Sequence, residues 1–177
     1  NSFITLNLLL LVSGFTMRLI ARDTKDVLLQ LKQENERVVA SQLEIQRLAQ
    51  HDPLTGLVNR TQCELGFRRA IANSSQQSVA LLFIDLDGFK AVNDSFGHDV
   101  GDELLTRVAA MLKYCVRKSD TVARFGGDEF VVLLTGLLDR DDAAIVAEKI
   151  LLQLAEPVQL SVSQVKVGAS IGIALYP

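Results

Sequence analysis

Apolar and polar residues follow several different periods along the chain, and each period predicts a different element. Residues 79–84 form an unbroken apolar run rich in branched side chains, which is typical of a buried central strand. Residues 99–116 carry apolar side chains at the spacing of an amphipathic helix. Two apolar runs, 121–125 and 130–134, flank a short turn and predict a β-hairpin. Strands and helices are therefore mixed in this part of the chain.

Three further segments complete the predicted order of elements. Residues 60–72 and 139–155 have helical composition, and residues 165–175 predict a last strand with a kink or bulge at Gly168 or Gly172. The resulting order, β-α-β-β-α-β, predicts an α+β fold with a ferredoxin-like sheet and flanking helices. In that topology the first strand lies antiparallel beside the third. The end of the first strand and the hairpin between the second and third strands then share one edge.

The beginning of the chain follows a different pattern and predicts a long N-terminal helix. Residues 1–17 carry no charge, and basic residues follow at Arg18, Arg22 and Lys25. We therefore interpret residues 1–20 as the end of a membrane-spanning helix with its cytoplasmic side at the basic residues. A buried or dimer-facing helix is the alternative, because polar residues and a glycine interrupt the apolar run.

Residues 21–50 contain neither proline nor glycine, and charged and amide side chains dominate them. Leu31, Val38 and Ile45 recur at heptad spacing, which predicts a coiled-coil-like linker that joins two copies of the chain. A solvated single helix between two domains is the alternative.

Composition narrows the classes of function. The chain has 18 basic and 21 acidic residues and a net charge of -3, which argues against the basic face that a nucleic-acid polymer requires. Cys63 and Cys115 lie far apart in the sequence, so we predict neither a disulfide scaffold nor a zinc site. Two isolated thiols are typical of a protein of the reducing cytosol.

Two acidic clusters are predicted to meet at the shared edge of the sheet. Asp85 and Asp87 end the first strand, and Asp128 and Glu129 lie in the hairpin. Carboxylates packed together repel one another, and their hard oxygen atoms suit Mg²⁺ or Mn²⁺. Lys90 adds a positive charge for phosphate groups, so the set predicts phosphoryl or nucleotidyl transfer. The alternative is that these acids cap strand ends and remain in water.

Four ordered stretches of the sequence resemble the GGDEF family. The signature is RKSDTVARFGGDEF at 117–130, and the others are DPLTGLVNR at 52–60, DLDGFKAVNDSFGHDVGDELL at 85–105 and SIGIALYP at 170–177. The resemblance assigns residues 51–177 to a GGDEF domain, with the fold of the palm of class III nucleotide cyclases and polymerases. It implies a diguanylate cyclase, which condenses two GTP into cyclic di-GMP and pyrophosphate.

The family's catalytic and metal-binding roles are expected at the positions of this sequence that match its motifs. The resemblance implies that Asp85, Asp128 and the backbone carbonyl of Leu86 hold Mg²⁺ or Mn²⁺. Glu129 matches the residue assigned to metal binding or to the role of general base for the 3′-hydroxyl group. Asp128, Glu129 and Lys90 are therefore the expected catalytic residues.

The same comparison implies which residues contact the substrate GTP. Phe89 and Lys90 match the phosphate-contacting turn, and Arg124 matches another position near the phosphates. Asn93 and Asp102 match the pair that reads guanine. A carboxylate accepts hydrogen bonds from guanine N1–H and N2–H₂, whereas an amide both donates and accepts. Adenine lacks that donor edge, so a buried Asp102 would be left unpaired and ATP would be rejected.

The resemblance also implies how the reaction is organised and controlled. Each protomer holds one GTP, so a homodimer must bring two domains face to face, and the helix at 21–50 would set their spacing. Arg117 and Asp120 match the RxxD element of members that their product inhibits. An ordinary surface ion pair is the alternative for these two residues.

Family members continue beyond SIGIALYP with a helix and a basic segment that contacts the GTP phosphates. The resemblance therefore implies a domain truncated at its C-terminal end, and weak activity of the 1–177 fragment by itself. We expect a cytoplasmic domain at the inner face of the cell membrane. The alternative function is a GTP-binding regulatory module that controls an adjacent cyclic di-GMP phosphodiesterase domain.

Overall fold

The computed structural model describes residues 2–73 and 78–177. Within the first helix, side chains are described at Met17, at Lys25 and from Leu28 onward.

Two compact units, residues 1–47 and residues 48–177, make up the chain and are treated separately. The described residues of the first unit, 2–47, lie within helix α1, Ser2–Gln50. Apart from Met17, the predicted membrane segment, residues 1–20, falls outside the part of the chain whose side chains are described. For the described residues, no helix has both the length and the apolar character that crossing a bilayer requires.

Helix α1 carries an exposed apolar seam at the positions of the predicted linker. The side chains of Leu31, Val38 and Ile45 are 65%, 47% and 64% exposed. A helix with an apolar stripe of this kind gains stability when a second helix covers it. The coiled coil itself stays a prediction.

The second unit is built on a five-stranded sheet with the order β1-β3-β4-β2-β7, and β5 and β6 form a separate two-stranded sheet. The strands are β1 Val58–Asn59, β2 Ser78–Asp87, β3 Thr121–Gly126, β4 Glu129–Leu137, β5 Val158–Gln159, β6 Gln164–Val165 and β7 Gly168–Tyr176. Strand β2 lies between β4 and β7 and runs antiparallel to both. The predicted pairing of the first and third long strands is confirmed, and with it the ferredoxin-like arrangement.

Four helices accompany this sheet: α2 Arg60–Asn73, α3 Phe89–Phe96, α4 His98–Cys115 and α5 Asp141–Ala155. Helix α3 was not predicted, because eight residues between two glycines are too few to establish a helical period. The predicted last strand, 165–175, is wrong at its start. Val165 pairs back with Val158 in the small sheet, and pairing with β2 begins only at Gly168.

Buried and exposed side chains alternate along β2, and this alternation determines which face of the sheet carries Asp85. Leu82, Ile84 and Leu86 are buried in the main core with residues of α4 and α5. Phe83 and Asp85 between them are exposed on the opposite face. Residues two apart in a strand share a face, so burial of the apolar residues aims Asp85 away from the core.

Candidate active site

The structure brings the two predicted acidic clusters together. Asp85 of β2 lies directly opposite Glu129 of β4, and on its other side it lies opposite Ser170 of β7. Side chains of opposed residues in adjacent antiparallel strands lie on the same face, with Cβ atoms about 5 Å apart. The carboxylates of two motifs that are distant in sequence therefore face one another at this edge.

The hairpin between β3 and β4 holds the remaining acid of the predicted set. Gly126 pairs with Glu129, so Gly127 and Asp128 form a two-residue turn. Gly127 has a φ of +50°, and no residue other than glycine has positive φ in the described chain. These signs match a type II′ turn, which requires glycine at its first central position. The turn places the half-buried Asp128 immediately beside the exposed Glu129.

Arg124 braces this hairpin against the start of the domain. Its Nε and Nη2 atoms donate to the carbonyl oxygen of Gly127, at 3.0 and 2.8 Å. Its Nη1 atom donates to both carboxylate oxygens of Asp52, at 3.1 and 3.2 Å. The two side chains are only 12% and 17% exposed. The phosphate contact expected of Arg124 stays a prediction, since in this geometry three of its nitrogens serve the protein.

Asp52 is itself held from two sides. Thr55 donates to its Oδ1 atom from the backbone N–H at 2.8 Å and from the hydroxyl group at 2.6 Å. Burial disfavours the charged carboxylate, but the hydrogen bonds from Thr55 and the Arg124 guanidinium outweigh burial and lower the pKa of Asp52. The carboxylate is thus a fixed anchor for the hairpin between β3 and β4.

The turn after β2 begins helix α3 at the predicted phosphate position. Gly88 precedes the helix with a φ of +83°, a left-handed conformation that glycine adopts without strain. No side chain caps this end of the helix, so backbone N–H groups of its first turn remain available to an anion. Phe89 packs against the main core, and Lys90 beside it is exposed.

A groove of about 650 Å³ borders the acids on the exposed face of the sheet. Apolar side chains line much of it, including Phe67, Phe83 and Phe125, and Asp85, Glu129 and Ser170 also contribute. The rings of Phe83 and Phe125 meet edge to face at a centroid distance of 5.8 Å.

The second acid of the DLD run, Asp87, contacts strand β7. The hydroxyl group of Ser170 donates to its two carboxylate oxygens at 3.1 and 3.3 Å. Asp87 thereby joins the last strand to the acidic edge.

Asn93 and Asp102 come from neighbouring helices. Asn93 lies in α3, and Asp102 lies in the N-terminal part of α4, where it is exposed rather than buried as expected, because it stands on the outer face of that helix's first turns. The side-chain oxygen of Asn93 is buried and accepts no hydrogen bond, alone among the buried side-chain polar atoms of the described residues. A carbonyl oxygen left unpaired in this way costs stability unless a ligand compensates.

Arg117 and Asp120 lie in a tight turn that precedes β3. The acidic hairpin follows the opposite end of the same strand. Asp120 accepts from the backbone N–H of Arg117 at 3.0 Å and from that of Thr135 at 3.4 Å. In the described part of the chain Arg117 makes no ion pair, so the surface pair considered as the alternative is not what the turn contains. Its guanidinium borders a cavity of about 380 Å³ together with His51 and Lys118.

The donor set at the acidic edge fits a hard divalent ion that is shared with a substrate. No cluster of three or more acidic, histidine or cysteine side chains that could hold a metal occurs among the residues described. Mg²⁺ commonly takes only one or two carboxylates and completes its shell with water and substrate phosphates. The carboxylates of Asp85 and Asp128 supply oxygens of this type. Leu86, whose side chain is buried, can contribute only its backbone carbonyl.

The sequence profile of the family described as "Diguanylate cyclase, GGDEF domain" matches residues 49–177. This chain belongs to the GGDEF family. The match covers the whole of the sheet and both helices that pack against its buried face.

Similar proteins of the GGDEF family come from Pseudomonas aeruginosa. The bifunctional diguanylate cyclase/cyclic di-GMP phosphodiesterase MucR is 44% identical over 170 residues, which cover 95% of this chain and 24% of MucR. Diguanylate cyclase TpbB is 40% identical over 161 residues, which cover 89% of this chain and 37% of TpbB. The solved GGDEF domain of TpbB is 45% identical with a TM-score of 0.69, over 72% of this chain and 76% of that chain. The chain thus spans between about a quarter and somewhat over a third of the length of these curated relatives.

Sequence reasoning missed two residues that the site depends on. Asp52 belongs to a recognised GGDEF stretch, but its partner Arg124 lies 72 residues away and no local pattern links them. Ser170 also lies in a recognised stretch, and only the register of β7 shows that it stands beside Asp85.

Proposed function

We propose that this GGDEF domain is a diguanylate cyclase that joins two GTP molecules into cyclic di-GMP and releases two pyrophosphates. The observation that supports the proposal most directly is the pairing of Asp85 with Glu129, next to Asp128 in the hairpin turn. Acids that only capped strand ends would gain nothing from this convergence, since like charges at short range destabilise the fold.

In this proposal the 3′-oxygen of one GTP attacks the α-phosphorus of the other. A bound Mg²⁺ or Mn²⁺ supplies charge stabilisation for the attacking and departing oxygens. Asp85, Asp128 and the carbonyl of Leu86 hold the ion, and Glu129 accepts the proton of the 3′-hydroxyl group. Lys90 stands in the first turn of α3, where the free N–H groups and its ammonium group favour phosphate.

Recognition of guanine is proposed for Asn93 and Asp102. Asp102 is exposed and accepts from the N1–H and N2–H₂ groups of the base. Adenine has neither N1–H nor N2–H₂, so ATP cannot form this pair of hydrogen bonds and should bind more weakly than GTP.

Ring closure needs two active sites that face each other, so we propose a homodimer. The exposed seam of Leu31, Val38 and Ile45 gives helix α1 an apolar surface for the same helix of a second copy. The cytoplasmic location and the attachment to a membrane stay predictions.

Product inhibition is proposed for the turn of Arg117 and Asp120. Because backbone N–H groups occupy the Asp120 carboxylate, the guanidinium of Arg117 remains able to bind a phosphate or the Hoogsteen edge of guanine.

The function is tested by incubating the full-length protein with GTP and Mg²⁺ and separating the nucleotides by chromatography. Asp128→Asn keeps the size of the side chain but removes its charge, so product formation should fall at least about a hundredfold. Glu148→Gln, an equivalent change on the exposed surface of α5, is the control and should leave the rate unchanged. Persistent synthesis by Asp128→Asn, or none by the wild type, would reject the proposal.

A second function is a GTP-binding module that regulates a neighbouring phosphodiesterase domain. It is favoured by the name of MucR, which combines both activities, and by the share of MucR that this chain spans. Hydrolysis of cyclic di-GMP by the full-length protein, stimulated by GTP without any synthesis, would favour this alternative.

A further inference from the structure

Gly101 occupies a special place beside the Asn93 amide. A Cβ atom built on Gly101 would lie 1.9 Å from the side-chain oxygen of Asn93, 2.9 Å from its Cγ and 3.4 Å from its Nδ2. These are the three heavy atoms nearest to that position outside the helix's own backbone. A contact of 1.9 Å is far inside van der Waals distance, so any side chain at position 101 displaces the amide.

Backbone hydrogen bonds fix this contact from both sides. The N–H of Gly97 donates to the carbonyl oxygen of Asn93 at 2.9 Å, and the N–H of Gly101 donates to that of Gly97 at 3.3 Å. The two residues are thus linked through one intermediate residue at the junction of α3 and α4. These bonds join the backbones of the two residues, whereas the amide is attached only through the side-chain torsions of Asn93, so a Cβ atom at position 101 acts on the amide first.

The orientation of the amide follows from the same contact. Its oxygen is turned inward against Gly101 and is buried without a donor. The Nδ2 atom is then the part of the amide that remains to donate to an acceptor on a base. An arrangement that leaves a buried oxygen unpaired is unfavourable for the stability of the protein.

We propose that Gly101 is a specificity-determining position of the nucleotide site, because its missing Cβ provides the space that holds the Asn93 amide in its base-reading orientation. Gly101 touches no part of the nucleotide and acts through Asn93. This inference rests on the proposed function, since the base it serves is the guanine of GTP.

The test is the change Gly101→Ala in the full-length protein, with 3′-deoxy-GTP as the binding probe. This analogue keeps guanine and the triphosphate but lacks the attacking hydroxyl group, so calorimetry reports binding without turnover. We expect the Kd of Gly101→Ala to rise at least about tenfold. The thermal midpoint should stay equal or rise, because alanine is a better helix former than glycine.

A double-mutant cycle with Asn93→Ala separates this effect from ordinary helix packing. Asn93→Ala removes all three of the atoms nearest to the Cβ position, so Gly101→Ala should change the Kd less than about twofold in that background. Gly66→Ala is the matched control, since Gly66 also lies in a helix and a Cβ there makes only an ordinary 3.6 Å contact with Leu133. Its Kd should equal that of the wild type.

Unchanged binding in Gly101→Ala would overturn the inference. Equal losses of binding or of stability in the presence and absence of Asn93 would overturn it as well, because they would assign Gly101 to packing alone. Failure of the proposed function would appear separately, as absence of cyclic di-GMP in the wild-type reaction with GTP, while binding of 3′-deoxy-GTP would still report on Gly101.

Discussion

Replacement of Arg124 distinguishes a structural brace from a phosphate ligand. In Arg124→Ala the hairpin loses the bonds to the Gly127 carbonyl, and Asp52 loses its ion pair. Two of the four hydrogen bonds end on the Gly127 carbonyl and two on the Asp52 carboxylate. We therefore count two charge-assisted interactions, one for each acceptor group. Each contributes about 1.5 kcal/mol at the lower end of the usual range, or about 3 kcal/mol together. Arg124→Lys keeps the charge but reaches only one partner, so its expected loss is about 1.5 kcal/mol.

Urea unfolding followed by circular dichroism measures this loss. With a slope of about 2 kcal/mol per molar urea, Arg124→Ala should lower the midpoint by about 1.5 M. Arg107→Ala is the control, because its ion pair with Glu103 spans 3.9 Å and Arg107 is 60% exposed. The control should change the stability by less than about 0.5 kcal/mol.

Kinetics then separate the two interpretations of Arg124. A brace positions Asp128 and Glu129, so Arg124→Lys should lower kcat at least about tenfold, since small displacements of catalytic groups have large effects. Binding of 3′-deoxy-GTP should change less than about threefold, because uniform binding is preserved. A large rise in the Kd with unchanged stability would refute the brace and would favour direct phosphate contact.

Three further predictions concern acid stability, regulation and thiol chemistry. The lowered pKa of Asp52 stabilises the fold above the unfolded value near 3.8, and this contribution is lost as the pH falls through the lower folded pKa. Urea midpoints should therefore decline more steeply below about pH 4 in the wild type than in Asp52→Asn, and parallel curves would contradict this. Arg117→Ala should raise the yield of cyclic di-GMP late in the reaction and leave the initial rate unchanged; equal final yields would remove the inhibitory site. Burial, aided by the charge of Glu64, raises the pKa of the Cys63 thiol to about 11, so iodoacetamide at neutral pH should label it only in urea, as mass spectrometry would report.

The sequence predicted the long elements well because each carries enough residues to show its period. The run at 79–84 lies within strand β2, and the amphipathic pattern at 99–116 nearly coincides with helix α4, His98–Cys115. The short elements escaped prediction because they depend on tertiary pairing. Strand β1 has two residues and depends on tertiary pairing, in parallel with β3 and through a bridge from Val58 to His51.

For the site, as for the fold, the sequence predicted features set by local pattern and topology and missed those set by long-range contacts. Convergence of Asp85 with the hairpin acids was predictable, because topology and the Gly126-Gly127 turn together determine which ends meet. The hydrogen-bond partners of individual side chains were not predictable. The sequence shows that Arg124 precedes the hairpin, but only the folded chain shows its donors directed at Asp52 and at the Gly127 carbonyl.

The contrast between two polar side chains indicates how the domain divides stability from function. Asp52 is partly buried and has its carboxylate satisfied by Thr55 and Arg124, which is the pattern of a structural anchor. Asn93 has a buried oxygen with no donor, beside Gly101, where a Cβ atom would collide with the amide. A sequence selected for stability alone would replace such an amide, because removing an unpaired buried polar group is neutral or stabilising. Asn93→Ala should therefore gain or keep stability while it loses nucleotide affinity, whereas Asp52→Asn should lose stability; a stability loss at Asn93 would mean that its amide serves the fold.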